Sequence, residues 1–513
     1  MKISEATLAA EAKNTRVRTP RGSVSLTASK GMPPMRGEPL LKKGVADFEV
    51  YGERQKGDWS GFSQHSLGEL LMGIAEGDGR LGNEEKVPDL RKMIAAWAGP
   101  VCPTRLPSRT GGRSLWWSLR LWSWRGSWGC RIGGMIFLAF FLLLPWDLAT
   151  LFEKPRVYEA KTEEPGVRAL YYESVPFRGK PTRVFAYYGA PKGKKLPAMV
   201  LIHGGGGTAF AEWVRMWNAR GYAAIAMDTG GLRPEKAIPG KWWNPVKAHH
   251  EFGGPEGWGD FKAIDEPSGD QWSYHAVAAA VLGHSLLRSM PEVDPGRIGV
   301  TGISWGGYLT DIVAGIDGRF KLAAPVYGCG FLGEDSAWLK DFAAMEPDRA
   351  KRWLSWWDPS VYLPGSKVPM LWVTGTNDFA YPFSSLQKSY RLPTGRRTLA
   401  IRVRMKHSHP DGAQPAEIFA FADSILKKGK PLGRVVAVER EAVRFSSKVK
   451  MVKAELNYTM DRGKWPDRKW ESVPATMTGK RASAKVPTGA TAWYFNLFDE
   501  RGIVTSSEHF ESK

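Results

Sequence analysis

The sequence has few cysteines and no long hydrophobic run. Its 513 residues include only Cys102, Cys130 and Cys329, too few and too unevenly spaced for a disulfide framework or a zinc site. The longest apolar run, residues 135–146, has 12 residues, whereas a helix needs about 20 to cross a bilayer. No motif has the spacing of metal ligands. We therefore expect no metal site and no stable membrane span.

Positive charge is abundant but is not concentrated in any one segment. The formal net charge is +20, and a strongly basic protein can bind nucleic acids or acidic membranes. Lysine and arginine are nevertheless spread along the whole chain, without an arginine-rich helix or a nucleic-acid-binding motif. We therefore expect no nucleic-acid partner and interpret the charge as a general property of the surface.

Residues 1–134 do not have the pattern of a folded domain. They mix Gly, Pro, Ser and Arg with few sustained apolar periods, and they end in the tract WWSLRLWSWRGSWGC. Such a segment buries too little apolar surface to offset the entropy that is lost on ordering. We expect residues 1–134 to be disordered or absent from the native protein, with Met135 as the natural start in the second case.

Residues 135–155 have features of a secretory signal. The apolar run has the length of a signal core, and Arg125 and Arg131 supply a positive flank before it. A buried core helix is the alternative, and no good small-x-small cleavage site lies near Ala149. The signal interpretation predicts export, either to the periplasm or out of the cell.

Residues 156–430 alternate between strand-like and helix-like stretches. Helical apolar spacing occurs at Ser273–Arg288 and Pro415–Lys427. Short apolar segments typical of strands buried on both faces occur at Ala198–Ile202, Tyr222–Met227, Ile298–Thr301, Met370–Val373 and Leu399–Val403. This alternation predicts an α/β domain, with a mostly parallel sheet flanked by helices.

The pattern changes beyond Leu432. Residues 434–513 contain alternating and aromatic-rich segments, including AWYFNLFDERGIVTS, with a turn at Asp499–Gly502. These features predict a small antiparallel β-sandwich attached to the preceding domain. Three roles stay open for it: bracing the larger domain, recognising a polymer, or contacting a partner.

The strongest local signal for chemistry is the pentapeptide Gly302-Ile303-Ser304-Trp305-Gly306. It follows the strand-like segment RIGVT and precedes a stretch compatible with a helix. Small residues two positions on either side of the serine permit a very tight strand-to-helix turn, which exposes the hydroxyl at the edge of a sheet. The motif therefore predicts Ser304 as a nucleophile.

A glycine run follows an earlier strand, in the segment His203-Gly204-Gly205-Gly206-Gly207. Glycines let backbone N–H groups approach a developing oxyanion without obstruction by side chains. We predict one oxyanion donor at the N–H of Gly205 or Gly206 and the other at the N–H of Trp305. The alternatives are a flexible turn and a phosphate-binding loop, but the latter lacks the G-x-x-x-x-G-K-S/T pattern.

Two further groups complete a candidate catalytic triad. Asp378 follows a strand in VTGTNDFAYP and is predicted to orient a histidine; a solvated loop aspartate is the alternative. His407 and His409 both follow the last strand, in MKHSHPDG, and either is a candidate general base for Ser304. We favour His407, because it comes first after the strand, and keep His409 as the alternative.

Several segments resemble known enzymes. HGGGGTAF with AEWVRMWNARGYAAIAMD, followed by GISWGGYLT and TGTNDFAYP, is similar to the acetyl xylan esterase and dienelactone-hydrolase-like branch of the α/β-hydrolases. The serine turn and the Gly-Tyr after it also resemble the prolyl oligopeptidase catalytic domain. The resemblance runs from His203 to about Ile425. It implies an α/β-hydrolase fold and a serine esterase, which needs no cofactor. Dienelactone hydrolases proper use cysteine where this chain has Ser304, so we do not expect their activity.

The substrate is less sharply indicated than the chemistry. The insertion after Asp228 carries Trp242, Trp243 and Trp258, which are candidates for stacking on sugar rings unless they pack within their own loops. The leading hypothesis is a carbohydrate acetyl esterase acting on a small-molecule or polysaccharide ester. The alternative is a serine peptidase, for which Glu251, Glu256 and Asp260 are candidates to bind a substrate amine.

Overall fold

The computed structural model describes residues 15–19, 22–28, 45–50, 53–56 and 144–512 of the chain. The chain divides into two compact units, Met1–Pro145 and Trp146–Lys513. In the first unit, four described strands form an antiparallel sheet in chain order: β1 (Thr15–Thr19), β2 (Gly22–Ala28), β3 (Val45–Val50) and β4 (Glu53–Lys56). The rest of the predicted disordered segment, and residues 135–143 of the predicted signal, lie outside the described residues.

The second unit contains a central nine-stranded sheet and a two-stranded hairpin formed by β10 and β11. The strands from β5 to β15 are β5 (Val157–Ala160), β6 (Arg168–Phe177), β7 (Lys180–Gly189), β8 (Leu196–Ile202), β9 (Ala223–Met227), β10 (Leu232–Lys236), β11 (Val246–His249), β12 (Val293–Ile303), β13 (Ala323–Val326), β14 (Met370–Gly375) and β15 (Arg397–Arg402). The order in the central sheet is β15-β14-β13-β12-β8-β9-β7-β6-β5.

The central sheet has the topology of the α/β-hydrolase fold. The six neighbouring strands β15, β14, β13, β12, β8 and β9 are all parallel to one another. The next strand in the sheet, β7, is antiparallel to both of its neighbours, β9 and β6. Every residue of β9, β13 and β14 is buried, as expected for strands covered by helices on both faces. The predicted fold class is confirmed.

Helices of the second unit cover the sheet and its insertions. They are α1 (Leu148–Leu151), α2 (Ala211–Asn218), α3 (Trp272–Arg288), α4 (Trp305–Ile316), α5 (Leu339–Ala343), α6 (Pro347–Trp357), α7 (Pro359–Tyr362), α8 (Phe383–Tyr390), α9 (His409–Ala413) and α10 (Ala416–Leu426), with 3-10 turns at Phe261–Asp265, Ser268–Asp270, Leu363–Gly365 and Trp465–Asp467. Within the part of the chain that the structure describes, none of the helices is long and apolar enough to cross a membrane.

The compact unit begins before the boundary that the sequence suggests. Sequence alone assigns residues 146–155 to the signal segment, but Trp146 is 3% exposed and its indole N–H donates to the carbonyl of Tyr274 in α3 at 2.9 Å. The Ser285 hydroxyl likewise donates to the carbonyl of Leu151 at 2.7 Å. Leu148 and Leu151 are buried as well, so this part of the segment belongs to the compact unit.

Two antiparallel sheets form the C-terminal part of the second unit. Their strands are β16 (Arg434–Glu439), β17 (Ala442–Ser446), β18 (Met451–Thr459), β19 (Glu471–Pro474), β20 (Thr476–Thr478), β21 (Arg481–Ser483), β22 (Ala492–Asp499), β23 (Val504–Ser506) and β24 (Phe510–Glu511). One sheet has the order β16-β17-β21-β20, and the other β19-β18-β22-β23 with β24 also paired to β22. A buried core that includes Phe445, Leu456 and Phe495 joins the two sheets, which confirms the predicted sandwich.

The sandwich covers the edge of the central sheet at β15. The N–H of Ile401 donates to the hydroxyl of Ser506 at 2.7 Å, and the carbonyl of Ile401 accepts from the side-chain amide of Asn496 at 3.0 Å. A sheet edge with unpaired backbone groups is prone to pair with other chains. Side chains of the sandwich thus form hydrogen bonds with both the backbone N–H and the backbone carbonyl of Ile401, and they cover this edge of the central sheet.

Candidate active site

Ser304 lies at the sharp turn between β12 and α4. Its backbone has φ 60° and ψ −120°, a strained conformation for a residue with a side chain. A methyl group at Gly302 would lie 2.0 Å from the carbonyl oxygen of Gly306, and one at Gly306 would lie 2.0 Å from the carbonyl oxygen of Ile202. Only glycine fits at both positions, which is why this five-residue motif forms the turn.

His407 connects Ser304 with Asp378. The Ser304 hydroxyl donates to Nε2 of His407 at 2.8 Å, and Nδ1–H of His407 donates to Oδ2 of Asp378 at 2.7 Å. The three residues follow β12, β14 and β15, whose carboxyl ends meet at one edge of the sheet. This is the hydrogen-bond arrangement in which a histidine can remove the serine proton while a carboxylate holds the ring.

Backbone amides fix the carboxylate of Asp378. Its Oδ1 accepts hydrogen bonds from the N–H groups of Ala380 at 2.9 Å and Tyr381 at 2.8 Å, which leaves Oδ2 for His407. The residue is 2% exposed. A carboxylate held in this way cannot rotate away from the imidazole, so the orientation of His407 is set by the loop after β14.

Two aromatic rings pack against the His407 imidazole. Tyr327 stacks on it with a centroid distance of 4.4 Å, and Phe379 lies 4.8 Å away on a tilted plane. The Tyr327 hydroxyl donates to the carbonyl of Lys406 at 2.5 Å. Neither ring belongs to a motif that marks it in the sequence. Phe379 directly follows Asp378 in the sequence, which is the one local signal that it lies near the triad.

His409 occupies a different position from His407. Its Nε2 accepts a hydrogen bond from the N–H of Gly204 at 2.9 Å, and its ring packs edge-on against Phe210. Burial lowers the pKa of His409 to about 3, with a smaller contribution from neighbouring cationic groups, including Lys247. The structure therefore brings His407, and not the alternative His409, to the Ser304 hydroxyl.

The glycine run forms a tight turn beside Ser304. The N–H of Gly207 donates to the carbonyl of Gly204 at 3.0 Å, and Gly206 has φ +71°, a conformation that favours glycine. His203 does not face the triad with a free nitrogen, because its Nδ1 contacts the carbonyl of Gly204 and its Nε2 accepts from the N–H of Thr229 at 3.0 Å.

Gly205 lies between two indole rings. A methyl group at Gly205 would lie 3.0 Å from Cδ1 of Trp305 and 3.2 Å from Nε1 of Trp258. Trp305 begins α4, where the first backbone N–H groups have no acceptor within the helix. Trp305 is 3% exposed and Trp258 is 49% exposed, so a buried indole and an open indole flank the glycine that sequence analysis assigns to the oxyanion site.

The other two predicted tryptophans, Trp242 and Trp243, lie earlier in the same insertion. Trp242 packs edge-on against Phe210 at 5.5 Å, and Trp243 packs edge-on against Trp242 at 6.0 Å. Both are partly exposed. Trp242 is thus linked through Phe210 to His409, whereas Trp258 lies next to Gly205 of the glycine turn.

Lys247 on β11 is a neighbour of the glycine turn that sequence analysis missed. Its Nζ donates to the carbonyl of Gly206. Burial lowers the pKa of Lys247, while the nearby carboxylate of Asp228 opposes this shift. No motif marks this lysine, because β11 reaches the turn only through the folding of the 229–270 insertion.

Metal ligands are not grouped at the site. Within the described parts of the chain, no cluster of three or more His, Cys, Asp or Glu side chains is placed to hold a metal ion. A cavity of about 310 Å³ lies between the insertion and the end of β6, and Glu256, Asp260, Glu266 and Asp270 contribute carboxylates to its wall. Of the three acidic residues predicted from sequence, Glu256 and Asp260 line this cavity, but Glu251 does not.

Two protein families match this chain over its hydrolase domain. The acetyl xylan esterase family matches residues 146–334, and the prolyl oligopeptidase family matches residues 269–427. A curated relative, the uncharacterized peptidase YuxL of Bacillus subtilis (strain 168), is 25% identical over 206 residues, which are 38% of this chain and 28% of that protein. The match therefore spans little more than a quarter of the relative's length.

Similar solved structures include enzymes of both kinds. An acetyl xylan esterase from Paenibacillus sp. R4 is 22% identical, with 55% of this chain and 92% of that chain covered and a TM-score of 0.42. Pyrococcus horikoshii acylaminoacyl peptidase is 18% identical, with 52% of this chain and 43% of that chain covered and a TM-score of 0.37. Both matched families consist of α/β-hydrolases, and the strand order of the central sheet gives this chain the same fold.

Proposed function

We propose that this α/β-hydrolase is a serine hydrolase that cleaves carboxylic esters through an acyl-enzyme. The observation that carries the proposal is the position of His407, which hydrogen-bonds to Ser304 at 2.8 Å and to Asp378 at 2.7 Å. A serine hydroxyl is a weak nucleophile unless an adjacent base takes its proton. The family matches to an esterase family and a peptidase family support a serine hydrolase.

During acylation, Nε2 of His407 acts first as a base and then, once protonated, as an acid. Ser304 Oγ attacks the ester carbonyl carbon while Nε2 of His407 takes the hydroxyl proton, and Asp378 stabilises the imidazolium that results. The tetrahedral intermediate collapses, the bond to the leaving alkoxide breaks, and His407 returns its proton to that oxygen. Water then attacks the acyl carbon while His407 takes its proton. The second tetrahedral intermediate collapses, the bond to Ser304 Oγ breaks, and His407 returns the proton to that oxygen, which releases the acid and regenerates Ser304.

The oxyanion site in this proposal uses backbone amides. The N–H groups of Trp305 and of Gly205 or Gly206 are the proposed donors. Trp305 follows Ser304 at the start of α4, and the glycines follow β8 in the turn whose Gly204 lies beside Ser304. The N–H of Gly204 is not proposed as a donor because it already donates to His409. Each step uses only side chains, backbone groups and water, and a cofactor is not required.

An acetyl ester of a carbohydrate is the proposed substrate class. The match to the acetyl xylan esterase family supports it, and so does the open indole of Trp258 beside Gly205. A flat aromatic surface next to the predicted oxyanion site is placed to receive a sugar ring whose acetyl group enters the site. Trp242 and Trp243 lie on the same insertion and are proposed as outlying contacts.

A panel of chromogenic substrates tests the proposal. We expect 4-nitrophenyl acetate to be cleaved with a higher kcat/KM than longer acyl esters, acetylated xylo-oligosaccharides to lose acetate, and Ser304→Ala to abolish both activities. Ser304→Ala preserves the fold if its melting temperature stays near that of the wild type. Turnover that persists in Ser304→Ala would rule out the proposed nucleophile.

A serine peptidase is the second candidate. The prolyl oligopeptidase family match favours it, and Glu256 and Asp260 line an acidic cavity that is electrostatically suited to a substrate amine. The same panel separates the two functions when aminoacyl 4-nitroanilides are included. Faster cleavage of these amides than of acetyl esters, dependent on Ser304, would establish the peptidase and reject the carbohydrate esterase.

Export is proposed on sequence grounds alone. Peptide mapping of the native protein tests it: an N-terminus at or after Met135 in an extracytoplasmic fraction is expected. Peptides from residues 1–130 in the native protein would instead show that the upstream segment is translated and retained, against a start at Met135.

A further inference from the structure

The loops that carry Asp378 and His407 contact the C-terminal sandwich. Asn377, directly before Asp378, points its side-chain amide into the segment between β18 and β19. Its Nδ2 donates to the carbonyls of Arg468 at 2.7 Å and Pro466 at 3.0 Å, with a longer contact to that of Trp465 at 3.4 Å. One amide of the acid loop is therefore held by backbone groups of the other domain.

A second contact comes from the loop that leads to His407. The guanidinium of Arg404 donates to the carbonyl of Trp470 at 2.7 Å, at the end of the same sandwich segment. Arg404 itself has φ +56°, a left-handed conformation that costs a residue with a side chain free energy unless its surroundings stabilise it. Its guanidinium bond to the sandwich contributes to that stabilisation.

The two loops are also joined to each other. The N–H of Arg404 donates to the hydroxyl of Thr376 at 2.9 Å, and that hydroxyl donates to Oδ1 of Asn377 at 2.7 Å. The hydrogen bonds thus form a closed circuit from the sandwich through Asn377 and Thr376 to Arg404 and back to the sandwich. Every polar atom of the Asn377 side chain has a partner in it.

Aromatic packing keeps the sandwich segment in place. Trp465 and Trp470 stack on each other with a centroid distance of 6.4 Å, and Phe383 of α8 packs against them at 5.1 and 5.7 Å. Trp465 is 6% exposed and Trp470 is 2% exposed. Because the indoles are anchored, the carbonyls that receive Asn377 and Arg404 are rigid acceptors rather than parts of a free loop.

We propose that Asn377 and Arg404 are positioning residues, through which the C-terminal sandwich holds the loops of Asp378 and His407 in catalytic register. The inference rests on the proposed function of the triad. It gives the sandwich a direct part in the active site, whereas sequence analysis left its role open. Small errors in the placement of catalytic groups cost large factors in rate, so loss of these bonds acts on kcat more than on KM.

Variants of both residues test the proposal against a matched control. Asn377→Ala and Arg404→Ala remove the contacts to the sandwich near the triad. Gln387→Ala removes a comparable amide-to-carbonyl bond, from Nε2 of Gln387 to the carbonyl of His509 at 2.9 Å, which also joins the two domains but does not involve the loops of the triad. Arg404→Lys retains a donor and a positive charge.

We expect Asn377→Ala and Arg404→Ala to lower kcat for 4-nitrophenyl acetate by about 10- to 100-fold, with KM changed by less than about twofold. Arg404→Lys should recover part of the loss, since one donor still reaches the carbonyl of Trp470. Gln387→Ala should lower the melting temperature to a similar extent while kcat stays unchanged. The proposal is overturned if the loop variants lose only as much kcat as Gln387→Ala.

A second readout does not need turnover. The proton between His407 and Asp378 is expected to give a low-field resonance in the proton NMR spectrum of wild type and of Gln387→Ala. Broadening or loss of this resonance in Asn377→Ala and Arg404→Ala supports the proposal, and an unchanged resonance opposes it. If the wild-type protein shows neither Ser304-dependent hydrolysis nor labelling of Ser304 by a fluorophosphonate, the proposed function is rejected. The resonance would still report whether the sandwich positions His407 and Asp378.

Discussion

Nε2 of His409 accepts a hydrogen bond from the N–H of Gly204 at 2.9 Å. The imidazole therefore needs an unprotonated Nε2, and the low pKa of about 3 that burial gives His409 agrees with this. The neighbouring His407 has its two nitrogens on Ser304 and Asp378. Two histidines separated by one residue thus have separate roles: His407 contacts the nucleophile, and His409 holds the glycine turn.

Substitution of each histidine distinguishes these roles. His407→Ala removes the only base that contacts Ser304 in the described residues, and we expect kcat to fall by about 10⁴-fold or more. His409→Ala leaves the Gly204 N–H without its acceptor, which costs about 1–3 kcal/mol for a buried donor, and should reduce kcat by about 10-fold. The kcat values of both variants, measured by steady-state kinetics, distinguish the two roles. Equal losses, or a larger loss in His409→Ala, would contradict the assignment.

Trp258 provides a test of the carbohydrate substrate. Its indole is half exposed and contacts Gly205, so Trp258→Ala removes the platform without touching Ser304. We expect KM for acetylated xylo-oligosaccharides to rise by about 5- to 10-fold, in line with the contribution of an aromatic contact of about 1 kcal/mol, while KM for 4-nitrophenyl acetate stays nearly unchanged.

Trp243→Ala is the matched control for that experiment. Trp243 belongs to the same insertion but packs on Trp242, one ring farther from the glycine turn. Its substitution should have a smaller effect on either substrate. Equal KM values for the oligosaccharide in wild type and Trp258→Ala would remove the sugar-stacking role.

Lys247 is expected to support the glycine turn. Its ammonium group donates to the carbonyl of Gly206, and Lys247→Met keeps the length of the side chain while removing that donor. The turn then loses one of its fixed points, and kcat should fall by about 3- to 10-fold because an exposed hydrogen bond of this kind contributes about 1 kcal/mol. Lys247→Arg, which retains the charge and the donors, should stay close to wild type. Kinetics in which Lys247→Met matches wild type would exclude the role.

Buried histidines predict how stability depends on pH. Burial lowers the pKa of both His250 and His275 to about 4, compared with about 6.5 in an unfolded chain. Between those values, the unfolded state binds protons that the folded state does not, so the free energy of unfolding decreases as pH falls from about 6.5 to 4. Above pH 6.5 the contribution of both residues is complete.

Urea unfolding of wild type and His275→Gln over this pH range tests the prediction. Because glutamine does not titrate, the variant should show a shallower decrease of the unfolding free energy between pH 6.5 and 4. Parallel curves for the two proteins would show that His275 does not take part in the pH dependence.

The sequence determined the parts of the site that depend on short-range geometry. The turn around Ser304 needs glycine at two positions because any side chain there would overlap backbone atoms at about 2 Å, and that requirement is visible in five consecutive residues. The strands before Asp378 and His407 are short apolar runs, and parallel strands end at the same edge of a sheet. The meeting of these residues was therefore predictable without coordinates.

The tertiary structure decided which groups act on those residues from distant segments. The choice between His407 and His409 depends on a loop path of a few residues, and only the position of Gly204 shows that His409 has another partner. Asn377 lies about 90 positions before the carbonyls that it contacts, and no local pattern marks such a pair. Local steric requirements involve neighbouring residues and are therefore visible in the sequence. Contacts between domains form only when both surfaces have folded and packed.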